Sequence, residues 1–214
     1  METRSERFFP LYLRMFIRPD STFDLIIDRR STLRFGFFAL LVPIIGYTLF
    51  YIMAWNAGGS PSTFKPWLSI PAEEYFRYDI YLTLPAYYMA WLGASCTVFF
   101  ISRLLNGAGS FENILAVIGF GIGIATWSSM LHDLTDAVLS TLGIIDMREY
   151  EKLLNEPTFW RYLLLTLYSI YFLWFMYLFT IGIRKVQRFG WVKSGFLALA
   201  GLATFQVILF IFIR

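Results

Sequence analysis

Long apolar stretches separated by short polar segments form the main pattern of this 214-residue chain. A helix needs about 20 residues, at about 1.5 Å rise per residue, to cross a hydrocarbon core. Stretches of suitable length cover residues 35–55, 80–101, 114–131, 159–183 and 194–213. Because lipid cannot satisfy bare backbone N–H and C=O groups, each stretch is predicted to be helical. The pattern predicts an all-α, polytopic membrane helix bundle of about five transmembrane helices, with short interfacial helices.

Composition supports a membrane protein over a soluble domain. Hydrophobic residues make up 57% of the chain and charged residues 15%, whereas soluble domains have roughly a quarter charged residues. The charges gather between the apolar stretches, and only Arg161 lies inside one, near its end, where a long side chain reaches the interface. No basic and aromatic groove indicates nucleic acid as a partner.

The distribution of basic residues predicts the orientation. Twelve of the 18 lysines and arginines fall on the N-terminal side of the membrane if the five stretches cross in turn. Basic residues are retained in the cytoplasm, so the N-terminus is predicted cytoplasmic and the C-terminus outside. We therefore divide the chain into a cytoplasmic interfacial segment, residues 1–34, and a five-helix transmembrane domain, residues 35–214.

The interfacial segment combines apolar and basic residues. Aromatic and aliphatic side chains are interleaved with Arg7, Arg14 and Arg18, which is typical of a segment that lies on an anionic lipid surface. Ser21 and Asp24 have the spacing of a capping box, with Ser21 as N-cap of a second short helix. These three arginines are the predicted lipid contacts.

The second outer loop contains the candidate chemistry of the chain. Apolar residues between 133 and 146 recur at helical spacing, which predicts a separate amphipathic helix along the outer surface. His132 and Asp136 stand at i and i+4, beside Asp133, a spacing compatible with metal binding or a proton relay. The alternative is that these three polar residues simply lie at a helix end that is exposed to water. We predict no bound metal or cofactor and keep His132 and Asp136 as the metal candidates.

Other residue sets do not converge on catalysis. Glu73, Glu74 and Arg77 are similar to part of an intramembrane metalloprotease motif, but their spacing differs and they lie in a proline-rich loop. The serines before His132 lack a Gly-x-Ser-x-Gly motif. Cys96 is the single cysteine, which excludes an intrachain disulfide. No catalytic residue is predicted, and we expect the protein not to be an enzyme.

Small residues predict close helix packing in the third stretch. Gly119 and Gly123 have small-xxx-small spacing, which lets a neighbouring backbone approach. The predicted partners are residues 93–95 of the second stretch and small residues of the fifth. Packing within one chain is the expected arrangement, and a homo-oligomer seam is the alternative.

The segment after the second stretch is predicted to be a tight turn between helices. Gly107 and Gly109 permit a sharp turn, Ser110 can cap the following helix, and Phe111 can anchor at the interface. A side chain at either glycine would strain the backbone if that glycine has positive φ.

At this turn the sequence resembles the Yip (Ypt-interacting protein) family of five-helix membrane proteins. The motif residues of the resemblance are Gly107, Gly109, Ser110, Phe111, Glu112 and Leu115. A second similarity, to the family's opening stretch, is carried by Arg18, Pro19, Thr22 and Phe23. The chain departs from the family where it lacks a proline in residues 119–127.

The resemblance implies a membrane protein without enzymatic activity, and the short N-terminal head is similar to that of prokaryotic members in a cytoplasmic membrane. We expect a scaffold that binds lipids or other membrane proteins through its cytoplasmic face, in membrane organisation or trafficking. A small-solute transporter or channel is the alternative, which would need polar groups around a cavity within the bundle.

Overall fold

The computed structural model describes residues 8–27, 32–60 and 67–213, and all its regular elements are helices. A 3₁₀ turn, Ala72–Glu74, leads into α4. The α-helices of the described residues are α1 Phe8–Ile17, α2 Pro19–Ile27, α3 Thr32–Asn56, α4 Tyr75–Leu104, α5 Phe111–Ala125, α6 Trp127–Thr141, α7 Met147–Leu153, α8 Phe159–Gln187 and α9 Trp191–Phe212. The all-α prediction is confirmed.

Long apolar helices make this a multi-pass membrane protein. Helices α3, α4, α8 and α9 are each long and apolar enough to cross a membrane, and α5 with α6 makes a fifth crossing if the two form one bent span. The most extensive contacts join α4 to α9 and α3 to α5. One hydrophobic core connects all the long helices and includes residues of α1 and α2.

The third predicted span is bent. The predicted stretch 114–131 is helical but not continuous, because α5 ends at Ala125 and α6 begins at Trp127 with a bend of 41°. The hydroxyl of Thr126 donates to the backbone carbonyl of Ile122 at 2.9 Å. The hydroxyl of Ser129 donates to the backbone carbonyl of Thr126 at 3.1 Å. Such hydroxyl-to-carbonyl bonds often bend helices, and two of them fall at this break.

The amphipathic helix predicted between residues 133 and 146 is confirmed only as far as Thr141. Residues 133–141 continue α6, and α7 begins only at Met147, with the Asp146 carboxylate accepting from the N–H groups of the first turn. The buried face also differs from the prediction, because Asp133 and Asp136 are buried along with Ala137 whereas Leu142 is 67% exposed. In a membrane bundle the polar face turns inward and the apolar face turns towards lipid.

The first two helices pack onto the bundle. Leu11, Tyr12 and Met15 of α1 are buried, as are Phe23 and Ile26 of α2. Helix α2 contacts α8 and α5, and α1 contacts α5. The segment is therefore fixed to the transmembrane helices by one face.

The start of α2 differs from the capping-box prediction. The helix begins at Pro19, a residue well suited to the first helical position because its fixed φ is helical and it needs no N–H partner. Ser21 lies inside the helix, and its hydroxyl donates to the carbonyl of Arg18 at 3.3 Å. Ser21 is therefore not the N-cap.

Glycines bring α3 and α5 into backbone contact. A Cβ on Gly119 would lie 2.6 Å from the carbonyl oxygen of Gly36, and one on Gly123 would collide with the carbonyl of Ala39. The partner of this small-residue face is thus α3, and the predicted partners on the second and fifth spans are wrong. Those two spans, α4 and α9, pack extensively on each other instead.

Candidate functional site

A buried cluster of ionisable side chains lies on α6. His132, Asp133 and Asp136 are 5%, 7% and 7% exposed. The Nδ1 atom of His132 is 2.9 Å from Oδ1 of Asp133 and 3.5 Å from Oδ2 of Asp136. One imidazole nitrogen therefore faces two carboxylates, and the three donor atoms lie within 4.8 Å of one another.

Two tyrosines from other helices hold this cluster. The hydroxyl of Tyr150 on α7 is 3.0 Å from Nε2 of His132, and the hydroxyl of Tyr168 on α8 donates to Oδ2 of Asp133 at 3.3 Å. Burial, followed by the negative charge of Asp136, raises the pKa of Tyr150 above its usual value. The Tyr150 hydroxyl therefore stays protonated at neutral pH, and it can donate to Nε2 or accept from it according to the tautomer of His132.

An opening of about 190 Å³ lies beside the cluster. His132, Asp136 and Tyr150 line it together with Thr135, Ile145 and apolar residues of α6 and α8. The imidazole and one carboxylate are therefore reachable by a small ion. The donors are one nitrogen and two carboxylate oxygens, a set that suits a divalent cation.

A second cavity, of about 110 Å³, lies between the long helices on the other side of Tyr168. The lining residues with hydroxyl or amide groups are Tyr47, Tyr51, Tyr87, Thr126, Ser129, Tyr168, Tyr171 and Gln206. The hydroxyls of Tyr47 and Ser129 are 2.8 Å apart, and the amide of Gln206 donates to the hydroxyl of Tyr171. Tyr168 connects this cavity to the ionisable cluster, because its ring lines the cavity and its hydroxyl reaches Asp133.

The glycine turn lies at the opposite end of α5 from the bend and packs against the end of α8. The N–H of Gly109 donates to Oε1 of Gln187 at 2.9 Å, and Arg103 donates to the carbonyls of Gly107 and Gly109 at 3.4 and 3.3 Å. Neither glycine has positive φ. The residue of this turn with positive φ is Asn106. The close approach of α8 to the turn therefore explains these glycines. A Cβ on Gly107 would collide with Gln187, and a Cβ on Gly109 would collide with Val186.

The other motif residues form the start of α5. Ser110 is its N-cap, with the side-chain oxygen accepting from the N–H of Asn113 at 3.2 Å. The rings of Phe111 and Phe99 lie 5.3 Å apart, which fixes α5 to the end of α4. Glu112 is exposed in the first turn, where its charge interacts favourably with the helix dipole.

Two of the three predicted lipid-contacting arginines lie where α1 meets α2. Arg14 is half-buried, with its guanidinium donating to the hydroxyl of Ser21 at 3.3 Å, and Arg18 is exposed. Arg7 lies outside the described residues. Helix α2 is held to α8 by Lys185, whose ammonium is 3.0 Å from a carboxylate oxygen of Asp20 and 2.8 Å from one of Asp24.

A family model described as the Yip1 domain matches residues 13–213, nearly the whole chain. The chain belongs to the Yip1 domain family. The resemblance at the glycine turn is thereby confirmed. No curated protein and no solved structure matches the chain.

Sequence reasoning missed four side chains of this Yip1-domain protein. Tyr150 and Tyr168 join the cluster from other helices, and Lys185 and Gln187 fix α2 and the glycine turn to α8. Lys185 and Gln187 lie at the polar end of an apolar stretch, where such residues are common. The chain has 13 tyrosines, so nothing in their spacing singled out these two.

Proposed function

We propose that this Yip1-domain protein is a non-enzymatic membrane scaffold that binds anionic lipid at α1 and α2 and organises its surroundings through that surface. The observation that carries the proposal is a pair of arginines beside an apolar groove. Arg14 and Arg18 precede Pro19, and Pro19 lines a groove between the first two helices and α8. Basic residues next in the chain to the lining of an apolar groove suit a headgroup with its acyl chain.

The groove has the dimensions and lining for an acyl chain. Its volume is about 480 Å³, and its walls are apolar or aromatic. The residues that form it are Phe16, Ile17, Pro19, Ile170, Leu173, Trp174 and Tyr177. Tyrosine and tryptophan are favoured where apolar and polar regions of the membrane meet.

The apolar surface of α1 continues beyond the groove. Phe9, Leu13 and Ile17 are exposed on the face opposite to the buried one. Exposed apolar residues on a helix with nearby arginines are typical of contact with an anionic leaflet. These features support residues 1–34 as an interfacial segment and residues 35–214 as the transmembrane domain.

We propose that α1, α2 and the glycine turn face the cytoplasm. Twelve of the 18 basic residues fall on that side when the bent α5–α6 pair crosses as one span. The positive-inside tendency then places the N-terminus in the cytoplasm and the C-terminus outside, as expected for a cytoplasmic membrane. Each basic residue near an anionic leaflet contributes about 1 kcal/mol of attraction.

Lipid binding is tested with the full-length protein, purified in mild detergent and examined by native mass spectrometry with phosphatidylglycerol or phosphatidylcholine. We expect preferential retention of phosphatidylglycerol by the wild type and loss of this preference in the Arg14→Gln, Arg18→Gln double variant. Lys152→Gln removes an exposed basic residue of α7 and serves as the matched control. Equal retention of both lipids by the wild type would refute the proposal.

Small-solute transport is a second candidate, favoured by the cavity beside the helix bend. Discontinuous helices next to a polar cavity are typical of transporter binding sites, and Thr126 and Ser129 of the bend line this cavity. Solute flux into proteoliposomes, measured for the wild type and for Ser129→Val, tests it. Solute flux that is present with the wild type and absent with Ser129→Val would support transport over a scaffold role.

A further inference from the structure

We infer that the His132 cluster is a binding site for one divalent transition-metal ion of the Zn²⁺ type. The inference is independent of the proposed lipid binding, because the two sites share no residue. Its basis is the convergence of Nδ1 of His132 with one carboxylate oxygen each from Asp133 and Asp136.

The separations of these donor atoms match those of zinc ligands. Zinc binds imidazole nitrogen and carboxylate oxygen at about 2.0–2.2 Å in tetrahedral geometry, which places two ligand atoms about 3.4 Å apart. The Nδ1 atom lies 2.9 and 3.5 Å from the two carboxylate oxygens. The three ligand atoms lie within 4.8 Å of one another, so shifts of up to about 1 Å would bring all of them into coordination distance of one ion.

The tyrosines provide the outer support that metal ligands require. Ligating histidines use their second ring nitrogen in a hydrogen bond that fixes ring orientation and tautomer, and ligating carboxylates are similarly held. Nε2 of His132 is held by Tyr150, and Oδ2 of Asp133 is held by Tyr168. Nδ1 of His132 and Oδ1 of Asp133, which are hydrogen-bonded to each other at 2.9 Å, would exchange that bond for coordination of the ion, and the imidazole proton on Nε2 would then be donated to the Tyr150 hydroxyl.

The charge of the three side chains and the opening beside them are consistent with a divalent metal ion. Two carboxylates and a neutral imidazole have a net charge of −2, which a divalent ion neutralises in a buried setting where unbalanced charge is costly. The opening lined by His132, Asp136 and Tyr150 provides an entry route. It also leaves space for a water molecule as the fourth ligand, as in zinc sites with three protein ligands.

The experiment uses tag-free, full-length protein in detergent, treated with a chelator and then titrated with Zn²⁺ by isothermal calorimetry. We expect one Zn²⁺ per chain for the wild type and no measurable binding for His132→Asn or Asp136→Asn. Glu149→Gln removes an exposed carboxylate of α7 and should bind like the wild type. Circular dichroism and thermal unfolding check that each variant is folded.

A second measurement separates a ligand role from a structural one. Tyr150→Phe keeps the donor set and removes the hydroxyl that contacts Nε2 of His132 and the side chain of Asp136, so Zn²⁺ affinity should fall about 10- to 100-fold. Co²⁺ in place of Zn²⁺ should give visible absorption bands that disappear in Asp136→Asn. No stoichiometric Zn²⁺ binding by the wild type, or binding retained by folded His132→Asn and Asp136→Asn, would overturn the inference.

Discussion

The side-chain oxygen of Gln187 accepts a hydrogen bond from the N–H of Gly109 across 2.9 Å, which joins the end of α8 to the turn before α5. The contact needs the backbones to lie close together, and a Cβ on Gly109 would lie 2.7 Å from the carbonyl oxygen of Val186. The Yip1-domain motif at this turn thus has a structural explanation in the packing of α8 against it.

Gly109→Ala is expected to destabilise the protein by about 1–3 kcal/mol, because the added methyl group displaces the end of α8. Thermal unfolding in detergent measures the effect. Gly195→Ala is the control, since nothing lies within 4 Å of a Cβ there and alanine is the better helix former. An unfolding temperature for Gly109→Ala equal to that of the wild type would contradict this explanation.

Gly119→Ala should loosen the packing of α3 on α5. The new Cβ would meet the backbone of Gly36, with the nearest atom at 2.6 Å, and backbone atoms cannot rotate away as a side chain can. We expect a loss of about 1–3 kcal/mol, read as a lower midpoint of denaturant unfolding. If Gly119→Ala unfolds at the same denaturant concentration as Gly195→Ala, the close α3–α5 contact is not important for stability.

The membrane architecture was largely predictable because length and apolar composition are local properties of the chain. The predicted stretches 35–55 and 80–101 lie inside α3 and α4, which extend a few residues further at each end. The bend at Thr126 was not predictable. Thr83 makes the same kind of hydroxyl-to-carbonyl bond inside the continuous helix α4, so a hydroxyl residue alone does not indicate a break.

The ionisable cluster was only partly visible in the sequence. His132 and Asp136 share a helical face by spacing alone, which made them candidates before any tertiary contact was known. Whether that face is solvated or buried depends on what packs over it. Tyr150 and Tyr168 lie on other helices, and only the fold brings them to His132 and Asp133.

Lys185→Gln is expected to weaken the attachment of α2 to α8, because the ammonium bridges Asp20 and Asp24. Both carboxylates are largely exposed, so the bridge contributes about 1 kcal/mol or less. Hydrogen–deuterium exchange in α2 should become several-fold faster, and 1 M salt should produce part of the same effect in the wild type. Arg77→Gln, which removes a surface pair with Glu74, should leave exchange in α2 unchanged.

The proposed orientation predicts which exposed positions are accessible from outside the cell. In a Cys96→Ser background, Glu149→Cys should react with a membrane-impermeant maleimide added to intact cells, because α7 is proposed to lie outside. Lys193→Cys should react only after the membrane is opened, because the start of α9 is proposed to lie in the cytoplasm. Labelling of the Lys193 position in intact cells would show that the orientation is the opposite of the one proposed.

Tyr12→Phe should destabilise the attachment of α1 to the bend between α5 and α6. The hydroxyl donates to the carbonyl of Gly123 at 2.6 Å and accepts from Nε1 of Trp127 at 2.8 Å. Burial raises the pKa of Tyr12 well above its usual value, so the hydroxyl stays protonated and makes both bonds at neutral pH. Removing it leaves a carbonyl and an indole N–H without this partner.

The expected loss for Tyr12→Phe is about 1–3 kcal/mol in the free energy of unfolding, the usual cost of leaving buried polar groups unsatisfied. Tyr81→Phe is the control, since Tyr81 is mostly exposed. Combining Tyr12→Phe with Trp127→Phe gives a double-mutant cycle, in which direct contact should appear as a coupling energy of about 0.5–3 kcal/mol. Strict additivity of the two substitutions would mean that the hydroxyl does not link α1 to α6, and that apolar packing of Leu11 and Met15 alone holds α1 in place.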